Sequence, residues 1–393
     1  MPATPNHETP HPDVARQAIP VMQPLLPTID DVLPRLRRID QRRWYTNHGP
    51  EVRELERGLA SFLGVRAEQV VATASGTSAL LGLLTVSPAR RWVVPAFTFV
   101  ATPNAVLASG GGCVLADIDP DTWWVDPCSA AWEPSDGSGL VAVAPFGAPP
   151  LLDRWPRDAE VVLDLAASLG SEPLQLTDLP MTWSAAFSLH ATKALPAGEG
   201  GFAVLGDPSR AARLRRWIDF GFDSDRTVRQ PGTNAKMPEV TAATANVALD
   251  GWPGIRAEWA QSRRLLGRAL AAVADDVGCV LHLGSRVGVS PYAVLSFPSE
   301  AATLAAERAL TQARIGTRRW WARGCHRMPA FQELAAGPLP VTDHVAATTL
   351  GVPMFRGLTR EHAGRIAEML MVGSGSGKPA HGRLDGGRRP HDR

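Results

Sequence analysis

The sequence predicts an α/β protein: a large domain built on a mostly parallel sheet covered by helices, followed by a smaller C-terminal α/β domain. Three observations carry this expectation. Short apolar runs alternate with helix-patterned segments between Gln69 and Leu205, the pattern of parallel strands buried on both faces. Several runs end on polar residues, at Ser75-Gly76-Thr77, Asp164 and Ser188, and open α/β sheets bind ligands beyond the carboxyl ends of their strands. A chain of 393 residues, 45% hydrophobic and 20% charged, can bury a core large enough for two domains.

Taken in order, residues 1–18, rich in Pro and His, are expected to be disordered. Residues 19–250 form an N-terminal arm and the large domain. Within them "TIDDVLPRLRRIDQRRWYTNHGPEVRELERGLASFLG" reads as two helices separated by "YTNHGP", with Glu54, Leu55, Leu59 and Phe62 at helical spacing in the second. Strand "QVVATAS" leads into helix "TSALLGLL", and "RRWVVPAF" leads into "TPNAVLASG". "GCVLADID", "GLVAVAPFG" and "EVVLDLAAS" follow as strands, then "MTWSAAFSLH" and "GEGGFAVLG" on either side of Lys193. Residues 251–372 form the small domain, with helices "IRAEWAQSRRLLGRALAAVADD", "SEAATLAAERALTQARIG" and "TREHAGRIAEMLMV" around a strand at "YAVLSFP". The tail 373–393, rich in Gly and mildly basic, is expected to be disordered.

Charge and cysteine content exclude several function classes. Forty basic and 39 acidic residues leave a formal charge of +1, so no general electrostatic attraction to nucleic acid or membrane is expected. Cys113, Cys128, Cys279 and Cys325 are scattered without a CxxC pair, which argues against a metal site or a disulfide framework and for a reducing compartment. No apolar signal core or membrane-length run is present, so a soluble cytoplasmic protein is expected.

The stretch "SLHATKALPAGEGG" places Lys193 between two apolar strands and ahead of a glycine-rich turn. Most lysines are solvated surface charges, but one in this setting projects into a cleft, where lost hydration favours the neutral, nucleophilic amine. Ser75, Gly76, Thr77 and Ser78 stand at a strand-to-helix turn whose free N–H groups suit a phosphate; a plain Ser helix cap explains the same residues. Asp164 ends a very apolar strand, as a helix cap or as the partner of a protonated pyridine nitrogen. Phe97 and Phe99 offer rings either to a planar cofactor or to the core. Together, in this order, an anion cup, an aromatic plate, a buried acid, Ser188 and a lysine describe a fold-type I pyridoxal phosphate site, aspartate aminotransferase-like.

Motifs along nearly the whole chain extend this reading: "WYTNHGPEVRELERGLASFLGV", "SGTSAL", "VVPAFTFVATPNAV", "VLADIDPDT", "SLHATKALPAGEGG", "GTNAKMPEVTAATANVAL" and "LPVTDHVAATTLGVPMF". In this set and order the sequence resembles the DegT/DnrJ/StrS sugar aminotransferases. The resemblance implies pyridoxal 5'-phosphate (PLP) as cofactor, with Lys193 as its covalent anchor and proton-transfer base and Asp164 on the pyridine nitrogen. It implies that Gly76, Thr77 and Ser188 hold the phosphate, with Ser75 and Ser78 of the same turn as further cofactor-binding candidates, and that Phe99 stacks on the ring. Asn234 would reach the phosphate from a neighbouring subunit, so a homodimer with shared active sites is implied. The implied reaction moves an amino group from L-glutamate to a keto carbon of a nucleotide-linked (dTDP-, UDP- or GDP-) keto-deoxysugar, in cell-surface polysaccharide or glycosylated metabolite synthesis. A keto-cyclitol acceptor, or a catalytically silent PLP-binding regulatory or assembly protein, is the alternative.

Two positions depart from the family pattern. Leu163 stands where an acid precedes Asp164, and Ala167 stands where an amide touches the cofactor's ring hydroxyl. Some relatives carry His in place of the lysine and dehydrate the sugar; Lys193 argues against that branch. Candidate substrate contacts are Tyr45, Asn47 and His48 of "WYTNHGP", His190, and Arg318 and Trp320 of "GTRRWWARGCHRMPAF", with Arg319, Trp321 and His326 alongside. Those cations and rings suit a nucleotide diphosphate, or else domain packing beside a solvated basic edge. Thr192 is a weaker candidate, and Trp123 and Trp124 are expected to pack or to contact a partner subunit.

Overall fold

The computed structural model describes residues 17–126, 132, 136–283 and 287–375. Cys128 and most of both termini expected to be disordered lie outside the described residues. Residues 17–18 and 373–375, part of those termini, are described. Buried Ile19 bridges to Ile315, and the Gly373 backbone lies against Ala305 and Ala306.

The chain opens with α1 (Ile29–Arg42), started by a capping box between Thr28 and Asp31. It turns into α2 (Pro50–Leu63), which begins on a proline and ends on Gly64 in the left-handed region. Then come β1 (Val70–Thr73), α3 (Gly76–Val86), β2 (Arg91–Pro95), α4 (Ala101–Ala108), β3 (Gly112–Ala116) and β4 (Gly139–Val143). β5 (Val161–Asp164), β7 (Trp183–Ser188), β8 (Gly201–Leu205) and α5 (Pro208–Trp217) complete the first sheet and its covering, while β6 (Ser171–Glu172), between β5 and β7 in the chain, lies outside that sheet. α6 (Glu239–Asp250), α7 (Trp252–Ala271) and α8 (Ala274–Val277) lead to β9 (Val280–His282), β10 (Val287–Gly288), β11 (Ala293–Ser296) and α9 (Glu300–Gln312). The described chain closes with α10 (Pro340–Thr348), β12 (Thr349–Val352) and α11 (Arg360–Gly373).

Seven strands form the main sheet in the order β1-β8-β7-β5-β4-β2-β3, all parallel except β8, which runs against both neighbours. Both faces are covered, which accounts for the continuous apolar runs. Val71, Val94, Val141 and Val162 face α3, α4 and α5; Val70, Val93, Leu140 and Leu163 face the core shared with α2, α6 and α7. The second sheet, β12-β11-β9, is antiparallel, packs with α9 and shares its apolar core with α11 through Ile366 and Leu370. Its Leu295 and Leu350 belong to the same core as Leu163, so one continuous apolar cluster joins both sheets.

Further links tie these halves: β10 of the second half pairs antiparallel with β6 of the first, Val287 opposite Glu172, and two segments cross over. The arm pairs with the second half, Met354 N–H donating to Val21 O. In return the stretch from Cys325 to Leu339, inside the span expected for the small domain, packs against β2 and β3; Cys325 N–H donates to Ala96 O at 2.8 Å. An amphipathic pattern alone does not say which sheet such a segment covers.

The first helices are fixed by a buried carboxylate. Glu239, at the start of α6, accepts from Glu51 N–H (2.8 Å) and Val52 N–H (3.0 Å), capping α2 from outside its own sequence. A Cβ on Gly49 would sit 2.6 Å from Glu239 Cδ, so the cap residue itself must lack a side chain. Arg35 ties the bundle by bonding Glu51, Glu54 and Asp250 at 2.6–2.8 Å. Glu239→Ala is expected to destabilise the protein by about 2–4 kcal/mol, because two buried N–H groups lose their acceptors. Urea unfolding measures it, with Glu239→Gln losing less.

Candidate active site

At the carboxyl ends of the parallel strands lies a cleft of ≈ 390 Å³ that gathers Gly76, Thr77, Phe99, Asp164, Ser188 and Lys193. Its floor is made by a close approach of backbones. A Cβ on Gly76 would lie 2.8 Å from Ser188 Cβ and 3.2 Å from Phe187 O, and one on Gly201 would overlap Ser75 and Gly76. Glycine at both positions lets the start of α3 sit directly beside the end of β7.

Ser75 caps α3: its Oγ accepts from Ser78 N–H at 3.0 Å and lies 2.9 Å from Ser78 Oγ. The N–H groups of Gly76 and Thr77, in the first turn, have no carbonyl one turn back to bond. They open on the cleft beside the Ser188 hydroxyl, an arrangement suited to a phosphate. Of the four residues expected in this cup, Ser78 does not line the cleft, its hydroxyl being taken up by Ser75.

Asp164 is buried, with Oδ2 accepting from Thr102 Oγ1 at 2.9 Å and Oδ1 from Ala166 N–H at 3.2 Å. Burial raises its pKa above the ordinary carboxyl value, against the lowering pull of these two bonds and the Lys193 charge. A carboxylate so placed suits a cationic partner entering from the cleft. Thr102, absent from the sequence-level candidates, orients it from α4 with Thr98 Oγ1 behind at 3.0 Å. A threonine in a helix carries no signal of its own until α4 is placed next to β5.

Lys193 is half-buried on the turn joining β7 to β8, and its Nζ donates to Tyr292 Oη at 2.9 Å. The amine lies 5.3 Å from the Tyr292 ring centroid, so it meets the ring at its hydroxyl end and not over its face. Tyr292, at the entry to β11, was not legible as a site residue because 99 positions separate it from the lysine. His190 lines the cleft with its ring engaged: Nδ1 lies 2.9 Å from Thr192 Oγ1 and 3.2 Å from Thr192 N, and Nε2 lies 3.7 Å from Glu199.

The two phenylalanines divide. Phe97 is buried among Trp123, Phe146 and Trp321, whereas Phe99 is 60% exposed and lines the cleft. Arg318 and Trp320 also line it, with the guanidinium 4.8 Å from the indole, and Trp321 stacks on Phe146 at 4.4 Å and 13°. Their neighbours serve packing instead. Arg319 donates to the carbonyls of Ala346 and Ala347, and buried His326 bonds Asp343. Trp123 and Trp124 are both buried.

Tyr45, Asn47, His48 and Asn234 do not line this chain's cleft. Tyr45 Oη donates to Asp40, while Asn47 and His48 take positive φ values of 62° and 56°. His48 lies in the fields of Asp219 and Lys236, and Asp219 bridges to Asn234, so these residues form a separate neighbourhood. The departures also separate. Leu163 points away from Asp164 into the core, where an acid would be costly, and only Ala167 faces the cleft. Among the described residues no helix is long and apolar enough to cross a membrane.

A model of the DegT/DnrJ/EryC1/StrS aminotransferase family matches residues 28–371. Protein Rv3402c of Mycobacterium tuberculosis is 29% identical over 375 residues, covering 88% of each chain. The dTDP-4-amino-4,6-dideoxy-D-glucose transaminase of Escherichia coli is 26% identical over 381 residues, covering 90% of this chain and 98% of the relative. The crystal structure of DesI, determined in the presence of its TDP-sugar product, superposes with a TM-score of 0.81 at 30% identity, covering 92% of this chain and 94% of that one.

Asp164→Asn is expected to stabilise the cofactor-free protein at neutral pH. Because the folded pKa is raised above 3.8, the wild-type carboxyl destabilises the fold increasingly as pH climbs from that value toward the folded pKa. Below 3.8 the group is neutral folded and unfolded alike, so the two proteins should converge. Urea midpoints measured from acid to neutral pH check the sign.

Proposed function

The chain belongs to the DegT/DnrJ/EryC1/StrS aminotransferase family, and from that premise we propose that it moves an amino group from L-glutamate to a keto carbon of a dTDP-linked keto-deoxysugar. It is a PLP-dependent sugar aminotransferase. The observation that carries the proposal is the convergence of a buried acid, an amine and an open helix N-terminus on one cleft. The dTDP-sugar transaminase among its relatives and the TDP-sugar product of DesI support the nucleotide. Arg318 beside Trp320 supports it further, offering a cation and a ring to a diphosphate and a base.

The residues fit PLP. A buried carboxylate whose hydrogen-bond partners among the described residues are a hydroxyl and one N–H suits a pyridinium nitrogen, and the Gly76–Ser188 approach leaves a cradle at the helix end for a phosphate. When bound, PLP supplies an electron sink for the pair left behind when the carbon bearing the amine is deprotonated. The N–H groups of Gly76 and Thr77 and the Ser188 hydroxyl hold the phosphate, and Asp164 keeps the ring nitrogen protonated. Phe99 offers an exposed ring face to the planar ring.

Lys193 is the covalent anchor. With PLP in place, the free Lys193 amine would take a proton from the donor carbon and return it one position along, and would act in the opposite sense on the acceptor. Asn234 of the partner subunit completes the phosphate site. The absence of Tyr45, Asn47, His48 and Asn234 from their own chain's cleft supports a homodimer in which they serve the other subunit. A cytoplasmic setting, in polysaccharide or glycosylated metabolite synthesis, belongs to the same proposal and is supported by Cys113, Cys279 and Cys325, which are free and buried among the described residues.

Addition of L-glutamate to the PLP-loaded protein should convert the visible band of lysine-bound PLP to the shorter-wavelength absorbance of the amine form. Lys193→Ala should lack the lysine-bound band and lose at least about 10³-fold in amino transfer while remaining a folded dimer. Wild-type turnover by that variant would overturn the assignment. Thymidine diphosphate should compete with the acceptor; indifference to it would favour a keto-cyclitol.

A further inference from the structure

The Lys193–Tyr292 contact joins the two halves of the molecule at the reactive amine. Tyr292 belongs to the β11 segment, and its ring is held edge-on against Trp320 (5.0 Å, 89°) and against Phe146 (6.1 Å, 61°). Its backbone is fixed as well, Ser290 Oγ donating to Tyr292 O at 2.8 Å. The hydroxyl is therefore aimed by packing. Towards Lys193 it acts as acceptor, which leaves its own proton free to be donated. On the same cleft, Ala167 presents only a methyl group.

We propose that Tyr292 is a positioning residue for Lys193. Its hydroxyl holds the free amine in the cleft and, once that amine carries PLP, donates to the oxygen of the cofactor's ring hydroxyl, the contact for which Ala167 has no polar atom. The inference rests on the reading of Lys193 as the anchor. Condensation of the neutral amine with the cofactor's aldehyde forms a carbon–nitrogen double bond, and both amine hydrogens leave with the aldehyde oxygen as one water. The unprotonated linkage nitrogen then has no hydrogen to give Tyr292, so the phenol turns from acceptor to donor. The ring hydroxyl is attached next to the aldehyde carbon, which brings its oxygen close to the same nitrogen.

This donor role has a sign. A proton on the linkage is shared between its nitrogen and the neighbouring ring oxygen. When it leaves, the oxygen keeps a negative charge with no internal donor, and a hydroxyl aimed at it stabilises that state. Removing the hydroxyl makes the linkage hold its proton to higher pH.

The test is a pH titration of the visible band in PLP-loaded wild type and Tyr292→Phe, which keeps the ring packed between Trp320 and Phe146. The midpoint should rise by about one to two pH units in the variant. A structural role alone would alter thermal stability and leave the midpoint in place, and an unchanged midpoint overturns the proposal. Absence of the band in wild type would instead refute the anchor reading. A second readout leaves Tyr292 in place, since the chain has two tyrosines. With ¹³Cζ-labelled tyrosine, the resonance remaining in Tyr45→Phe belongs to Tyr292 and should shift on loading with PLP; a resonance that stays put overturns the proposal equally.

Discussion

Asp164 is the constraint from which the site follows. A carboxylate at the end of a strand covered on both faces is held out of water, and burial of that kind is tolerated only with partners that repay part of the lost hydration. Thr102 and the Ala166 N–H supply two, which leaves room on the cleft side for a cation. The acid is thus destabilising for the empty fold and useful for binding. Such a conflict between stability and local chemistry is expected at functional positions.

The remaining groups are placed by how strands end. β8 runs against β7, so the chain must reverse beyond Ser188, and Lys193 sits on that reversal. Gly76 and Gly201 let the cap of α3 come against the same strand end. An open helix N-terminus, a hydroxyl and an amine therefore share one rim without any being adjacent in sequence. Side chains on rigid strand ends lose little further freedom when a ligand arrives, the physical content of a preorganised site.

The opposite wall comes from the second half of the chain. Tyr292, Trp320 and Trp321, with Phe146 behind them, form a continuous aromatic surface across from Phe99 and Lys193. The wall has its own apolar cluster, in which Phe97, Ile118 and Phe146 of the first half pack with Val294, Val345 and Ala346 of the second, so it is carried by packing. The segment from Cys325 to Leu339 strengthens the tie by covering β2 and β3.

The sequence by itself determined the strand and helix alternation, the mostly parallel sheet, the strand-to-helix turn at Ser75–Ser78, the acid that ends its strand at Asp164 and the lysine loop. Each of these is local: an apolar run and the polar residue that ends it stand side by side in the chain. Tertiary structure decided the rest, because those choices depend on which distant segments meet. It separated Phe97 from Phe99, turned Ser78 toward Ser75 and Leu163 into the core, and gave Arg319 and His326 to packing while leaving Arg318 and Trp320 in the cleft. It also brought Thr102 to Asp164 and Tyr292 to Lys193, pairs separated by 62 and 99 positions. A hydrogen bond across such a distance leaves no periodicity in the sequence, since it is fixed by the packing of one sheet against another and not by the spacing of residues along either.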